Sequence, residues 1–421
     1  MNNLPLTYAQ IVERVGMPVA AVVFGVGEPQ GLACLRGLGR AGIPVYAVGK
    51  EGAVGFCSRY ARETHVVPDT HLDSAGVMNV VLALGKKLKT AGVKAVLLPT
   101  QDSMVELLSK NKILLQEYCV CHVPDIDVIS ACSDKKVQYE TAELLGVPYP
   151  KTYFENQTDR LIDDLKNSRV EYPLIFKARK ELPRAIRGQY RLSIIKNLAD
   201  LKKLLPAVAE LKIPFIIQEI IPGDDDTLYT LGTCRTQKGE LSAIFTGRKL
   251  RQTPPHFGVC RVGESKLIPE LIDDGAKLLA ALNYFGISQV ETKYDRRDGK
   301  YKLIEVNPRP WAWTALPVEM GINLPYAFFC DALGIEIPRQ GMPDRRCVYI
   351  YLYEDLYCSL AVPDGRPWVH LFQGYEKIVE PFFNTNDLKP GLVYFSRCVG
   401  ILGKAVFRKA LKIFRFNGVP K

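Results

Sequence analysis

The stretch from Ser288 to Pro310 holds the densest set of residues able to do chemistry: Glu291, Glu305 and Asn307, then Arg309 between two prolines. Two strand-like runs flank Asp298-Gly299, a strong hairpin signal, and the length of the turn decides what the acids can do. A two-residue turn pairs Arg297 with Lys300 and points Glu291 and Glu305 to opposite faces. A three-residue turn, Arg297-Asp298-Gly299 with Gly299 left-handed, pairs Arg296 with Lys300 instead. Glu291 then stands across from Glu305, and Gln289 faces Asn307. Two carboxylates and an amide on one side suit a hard divalent cation, whose charge relieves their repulsion. The alternative is an exposed hairpin with ordinary surface charges. Against it, Glu305 and Asn307 stand among Leu303, Ile304 and Val306, and Arg309 offers a cation for developing phosphate charge.

A second basic segment runs from Thr246 to Gly258, with Arg248, Lys249 and Arg251 ahead of Pro254-Pro255-His256. Lys249 and Arg251 are expected to recognise phosphate or carboxylate, since a guanidinium holds two oxygens at once; a solvated edge strand is the plainer reading. His256 reads as packing or surface.

The elements that must carry these groups fall into two textures. Val19 to Gly25, a helix from Gly31 to Ala41, and Ile43 to Val48 make a β-α-β pattern, followed by a strand at Val93 to Leu98 and a helix from Ser103 to Tyr118. This predicts a parallel sheet covered on both faces. Ligands gather at the carboxyl ends of such strands, so Gly25, Gly27 and Asp102 are candidates to face a substrate. Gly25-Val26-Gly27-Glu28-Pro29-Gln30-Gly31 departs from the dinucleotide fingerprint and sets Glu28 where a pyrophosphate wants donors, so close packing is the preferred role of its glycines. After Ser130 come a helix at Asp134 to Leu144, strands at Pro173 to Ala178, Arg191 to Ile195 and Phe215 to Ile221, and a helix from Leu198 to Leu211. Antiparallel strands over 227–310 are broken by one helix near Glu270 to Leu282. The overall class is α/β plus α+β. Aromatic-rich strands beyond residue 335, such as Cys347 to Tyr353, complete a third unit or pack on the second.

Glu291, then Glu305-Val306-Asn307-Pro308-Arg309, resembles the ATP-grasp superfamily of carboxylate-amine ligases, which hold magnesium on an acid of one strand and Glu-x-Asn-x-Arg of the next. The likeness covers roughly residues 15 to 335. It implies that Lys135 and Lys177 contact ATP phosphates, that Gln218, Glu219, Ile220 and Ile221 form the linker between nucleotide-sandwiching lobes, and that Asp225 or Asp226 meets the ribose. It also implies that Arg179, Arg184, Arg187 and Gly188 belong to a phosphate-covering loop that shuts out water. Asp134-Lys135, Val147 to Thr152, Pro222-Gly223-Asp224-Asp225 and Lys293-Tyr294-Asp295 are most like cell-wall D-aspartate ligases and carbamoyl-phosphate-synthase-like relatives. Pro310-Trp311-Ala312-Trp313 departs from that pattern, and its indoles are expected to border the acceptor substrate. The implied organisation is a Rossmann-like N-terminal domain over 1–129, a two-lobed ATP-grasp domain over 130–335, and an extension over 336–421 with a basic amphipathic tail. The implied chemistry is Mg2+- or Mn2+-dependent transfer of the ATP γ-phosphate to a carboxylate, then amine attack to form an amide. Glu291, Glu305 and Asn307 would bind metal, while Lys135, Lys177 and Arg309 would hold phosphates. The other readings are a nicotinamide-dependent oxidoreductase and a non-catalytic nucleotide-binding module at a membrane.

Composition limits the rest. The chain of 421 residues is 47% hydrophobic and 24% charged, which fits two or three globular domains. No run is apolar enough to span a bilayer and no signal peptide stands at the start, so the expected place is the cytosol. Eleven irregularly spaced cysteines suggest buried thiols, and Cys119, Cys121 and His122 read as part of a buried strand before a metal site. The net charge is +10, but residues 400–421 contribute six basic residues and no acid, which leaves +4 for the body and argues against a nucleic-acid partner. Within that tail, 401–416 resembles a helix lying on an anionic membrane, at the inner membrane face, or else a helix docked on the body.

Overall fold

The structure, a computed structural model, describes residues 6–179, 192–361 and 368–400. Arg184, Arg187, Gly188 and the 401–416 segment lie outside the described residues. The first layer is a parallel sheet in the order β3-β2-β1-β4, formed by β1 (Val19–Phe24), β2 (Val45–Gly49), β3 (Ala61–Val66) and β4 (Lys94–Leu98). Every residue of β1 and β2 is buried, as in strands covered on both faces. Around them stand α1 (Pro29–Arg40), α2 (Ser74–Thr90) and α3 (Asp102–Lys110). The helix expected to reach Tyr118 ends at Lys110, and a second short helix spans Lys112–Gln116. A Cβ on Gly31 would stand 2.1 Å from the Gly25 carbonyl oxygen, so close packing of helix on strand fixes that glycine. Cys119 and Cys121 are buried thiols beside one parallel bridge, Val96 to Val120. No three of histidine, cysteine, aspartate and glutamate gather as metal ligands among the described residues.

Next, α4 (Lys135–Leu145) starts at Asp134, whose carboxylate accepts from the Lys136 amide, and stops at the left-handed Gly146. A four-stranded antiparallel sheet follows in the order β5-β8-β6-β7: β5 (Thr152–Phe154), β6 (Leu174–Ala178), β7 (Leu192–Ile195) and β8 (Phe215–Glu219), with α5 (Leu198–Glu210) between the last two.

The largest sheet runs β13-β12-β9-β10-β11-β14-β15. Its members are β9 (Leu228–Arg235), β10 (Leu241–Thr253), β11 (Val259–Ser265), β12 (Gly286–Asp295), β13 (Lys300–Asn307), β14 (Cys347–Ile350) and β15 (Lys377–Val379). Thus the aromatic-rich C-terminal strand extends this sheet through its pairing with β11. One face packs Leu231, Val290, Leu303 and Val306 against α4 and α6 (Pro269–Ala281). The other face carries the polar row of Gln289 and Glu291, and beside it Trp311 and Trp313, each 1% exposed, fill the space over neighbouring strands. The indoles lie where β9 and β10 lack side chains: a Cβ on Gly232 would stand 1.9 Å from the Trp311 ring, and one on Gly247 2.8 Å from that of Trp313. This corrects the expectation that the indoles border a substrate. Their bulk is spent on core packing.

Past α7 (Leu324–Ala332) and α8 (Leu352–Ala361), the chain returns to the first layer, and the last described residues form α9 (388–400). Arg36 of α1 receives it: its guanidinium donates to Asp387 at 2.9 Å and to the carbonyls of Pro381 and Phe382, each at 2.7 Å. Asp387 also accepts from the Ser58 hydroxyl at 2.7 Å and the Arg59 amide at 2.9 Å, so this buried pair is hydrogen-bonded on both sides.

Overpacking the indole slot should be costly. Gly232→Ala is expected to lower stability by about 2 kcal/mol in urea unfolding, because the Trp311 ring has no free volume to enter. A midpoint equal to that of the parent would contradict the slot.

Candidate active site

The hairpin sets Glu291 directly across from Glu305 and Gln289 across from Asn307. Its route to that pairing differs from either turn considered above. Asp295 pairs with Lys300, which leaves four residues in the turn, and Gly299 is left-handed with its amide bonded to the Asp295 carbonyl at 2.9 Å. The register then shifts between Glu291 and Thr292, where Thr292 faces Leu303. One extra residue on β13, Ile304, makes a β-bulge that moves the acids into line. Leu303 and Val306 consequently share one apolar cluster although they are three residues apart.

Partners outside the hairpin tie down the bulge. The Tyr139 hydroxyl donates to the Ile304 carbonyl at 2.7 Å, and the Leu303 amide donates to the Pro148 carbonyl at 2.7 Å. Gln138 bonds both backbone groups of Val306, accepting at 2.9 Å and donating at 3.3 Å. Gln138 and Tyr139 lie three and four residues after Lys135, so the helical face that covers the β13 edge also presents Lys135 to the site. The Lys135 ammonium stands 3.7 Å from Glu305.

Glu291 is held differently. It is 8% exposed, and its carboxylate lies 2.5 Å from the ammonium of Lys249, itself 4% exposed. Burial pushes the Glu291 carboxyl up and Glu305 adds repulsion, while Lys249 and Lys177 pull the other way; the net direction is up. Burial also works against ionised Glu305, but Lys135, the Asn307 amide, Lys249 and Lys177 outweigh it and hold that carboxyl down at about 2. The pair is thus asymmetric: one acid is buried against a lysine, while the other is half-buried and firmly ionised. The Asn307 amide donates to Glu305 at 3.1 Å and to Gln289 at 3.3 Å. From the smaller sheet, Lys177 donates to Gln218 at 2.9 Å, and burial with neighbouring Lys135 lowers its ammonium to about 8.

Other candidates diverge from this centre. Arg251 does not join Lys249: a bulge at Leu250 pairs Lys249 with Gly263 but Arg251 with Val262, whose side chain clusters with Leu250 on the other face. There the Arg251 guanidinium donates to Asp355 and Ser359 of α8, each at 3.0 Å. Asp225 turns back to accept from both amides of Gln252, at 2.8 and 2.9 Å, and from the His256 amide at 2.8 Å, so it organises that loop. Asp226 is half-buried near Lys293 and Arg248. Gln218 is buried, and the Glu219 side chain ties the Lys151 amide, at 2.9 Å, to Arg297 of the hairpin turn, at 3.0 Å. Ile220 and Ile221 continue from β8, Ile221 being buried. Arg309 stays at the centre's rim: it donates to Asn307 at 3.4 Å and to Asp102, the first residue of α3, at 2.7 Å. Arg179 donates to both oxygens of Asp134, at 3.0 and 2.7 Å, so the strand end leading to 180–191 is fastened to the cap of α4.

Reading the sequence missed the roles of Tyr139, Gln138 and Gln252. Gln252 accepts from Lys249 at 3.3 Å and so joins Asp225 to the acid pair. The contacts of Tyr139 and Gln138 with β13 span more than 160 positions, and that of Gln252 with Asp225 spans 27, so no local spacing signals them.

The oxygen-rich set of Glu291, Glu305, Asn307 and Gln289 fits a hard divalent cation by donor chemistry. Lys249 and Glu291 are also a structural pair. Glu291→Ala should lower stability by about 3 kcal/mol by leaving Lys249 buried and unpaired, whereas Glu291→Leu with Lys249→Met should recover most of that loss in chemical unfolding. Additive losses would show that the two groups do not depend on each other.

No family sequence profile matches the chain. It is 24% identical over 277 residues to the D-aspartate ligase of Enterococcus faecium (strain Aus0004), a match covering 63% of this chain and 66% of that protein. Its fold is similar to that of an L-amino acid ligase from Bacillus licheniformis, with a TM-score of 0.54, 16% identity and coverage of 75% of this chain and 74% of the other. It is also similar to N5-carboxyaminoimidazole synthetase from Staphylococcus aureus, complexed with ADP, with a TM-score of 0.56, 14% identity and coverage of 83% of each chain. Three sheets among the described residues, with a paired-acid hairpin met by lysines from separate elements, thus make up a fold similar to that of an L-amino acid ligase and of an ADP-complexed synthetase.

Proposed function

We propose that this chain is an ATP-dependent carboxylate-amine ligase that makes an amide through an acylphosphate and releases ADP and phosphate. The observation that carries the reading is the meeting of Glu291, Glu305 and Asn307 on one hairpin with Lys249 from β10 and Lys135 from α4. Supporting it are the relatives above, a D-aspartate ligase, an L-amino acid ligase and a synthetase that holds ADP. The first layer then corresponds to a Rossmann-like substrate domain over 1–129, ahead of the ATP-grasp domain over 130–335.

Lys135 and Lys177 would hold ATP phosphates, with the base against Gln218 to Ile221 and Asp226 toward the ribose. A divalent cation such as Mg2+, seated on Glu291, Glu305 and Asn307, would neutralise triphosphate charge. The low value of Glu305 keeps it an oxygen donor over the physiological range. Lys249 offsets part of the burial that works against an ionised Glu291, a role that a bound cation would share. Arg309 would leave Asp102 for the transferring phosphoryl group, whose loose transition state is stabilised by fixed positive charge. The amine then attacks the acylphosphate carbon and phosphate leaves, so no oxidant or reductant is needed.

Glu305→Gln should reduce ADP release in the presence of carboxylate, amine and Mg2+ by about 100-fold, with melting behaviour kept because the residue is half-buried. Unchanged turnover would refute the assignment. A pH effect follows from Lys177, whose ammonium titrates near 8 in the folded protein. Below that pH it is charged and ready for phosphate; above it the charge is lost. ATP affinity should therefore fall as the pH rises through about 8, and binding near that pH should take up protons, seen by calorimetry in buffers of different ionisation enthalpy. Lys177→Arg should bind ATP without the uptake. Equal uptake in this variant would assign the proton elsewhere.

A further inference from the structure

One side of α9 carries a line of apolar side chains that the described residues leave more than half exposed, Phe383 meeting only the Phe395 ring at its edge. Leu388, Leu392, Phe395 and Val399 are 53%, 58%, 56% and 52% exposed, and their steps of four, three and four put them on one helical stripe. The opposite side is seated. Gly391 and Cys398 are buried, the Tyr394 ring stacks on Phe382 with centroids 4.0 Å apart, and the Tyr394 and Tyr351 hydroxyls are 2.8 Å apart. The Tyr353 ring of α8 lies beside both Tyr394 and Tyr357, and on α8 itself Tyr357 and Leu360 are 58% and 72% exposed. Such a run of exposed apolar groups marks a contact surface.

Charge selects the partner. From residue 388 to 421 the sequence holds Lys389, Arg397, Lys404, Arg408, Lys409, Lys412, Arg415 and Lys421 and no acidic residue. A second copy would bring the same positive charge against itself. A nucleic acid would match the charge but leave the leucines and the phenylalanine without a partner. An anionic lipid surface satisfies both features: apolar side chains enter below the headgroups, and exposed Lys389 beside them reaches back to the phosphates.

We propose that the outward face of α9 docks this protein on an anionic bilayer. The inference is independent of the ligase reading and goes beyond it. It is tested by flotation of the full chain with phosphatidylcholine vesicles containing roughly one third phosphatidylglycerol. The parent should float with these vesicles, and much less with pure phosphatidylcholine or in high salt. Leu392→Glu with Phe395→Glu should cut flotation at least about tenfold, while the melting profile and ADP release stay at parent values, since both positions are exposed. Should that pair fail to fold, Leu388→Ser with Val399→Ser carries the same expectation. Equal flotation of parent and variants would overturn the proposal, as would a parent that ignores anionic vesicles. So would a dimer seen by light scattering that the same substitutions dissolve. Loss of flotation with ADP release intact separates this surface from the active site.

Discussion

Two carboxylates placed side by side on neighbouring strands repel each other, and much of this molecule is arranged around that repulsion. The small residue count of a hairpin cannot relieve it. Relief comes from elsewhere in the chain: Lys249 from the next strand but one, and Lys135 from a helix that precedes the sheet by far in sequence. The two acids are treated unequally. Glu291 sinks against one lysine as a buried pair, and Glu305 remains half in solvent and strongly ionised. In the proposed site, a deep anchored acid beside a shallow charged one would give a cation both a fixed ligand and a way in.

The bulge at Ile304 is what makes the acids neighbours, and it is maintained by α4. Tyr139 and Gln138 use side-chain hydrogen bonds to finish the edge of β13, where another strand would otherwise add. Because Lys135 rides on the same helix, edge protection and site assembly are one packing event. The Asp134 cap links that helix in turn to Arg179 at the end of β6, so the smaller sheet is fastened to the same corner.

Much of this was legible in the sequence wherever the signal is local. The apolar runs of β1 and β4, the Asp134 and Gly146 boundaries of α4, and the pairing of Glu291 with Glu305 were expected and are present. The reason given for that pairing was wrong: a turn of four residues and a bulge replace the odd turn. A bulge is chosen by what packs on it, here Tyr139 and Pro148, and neither lies near Ile304 in sequence. The same blindness hides the bulge that parts Lys249 from Arg251, since a spacing of two gives a shared face only in an unbroken strand. That Asp225 organises the loop through the Gln252 and His256 amides was not legible, because an acid in a loop can serve amides as well as a ligand. The indoles were misread because the glycines that receive them sit on β9 and β10, far from Trp311 in the chain.

The contact between Arg36 and Asp387 has a further consequence for how the molecule comes to exist. Its two partners are separated by 351 positions. During synthesis from the N-terminus, α1 emerges with a guanidinium shaped for a carboxylate that the ribosome has not yet made, together with carbonyls from Pro381 and Phe382. The first layer therefore stays unsealed on that side until nearly all of the described polypeptide has been translated, and its closure is among the last events of maturation.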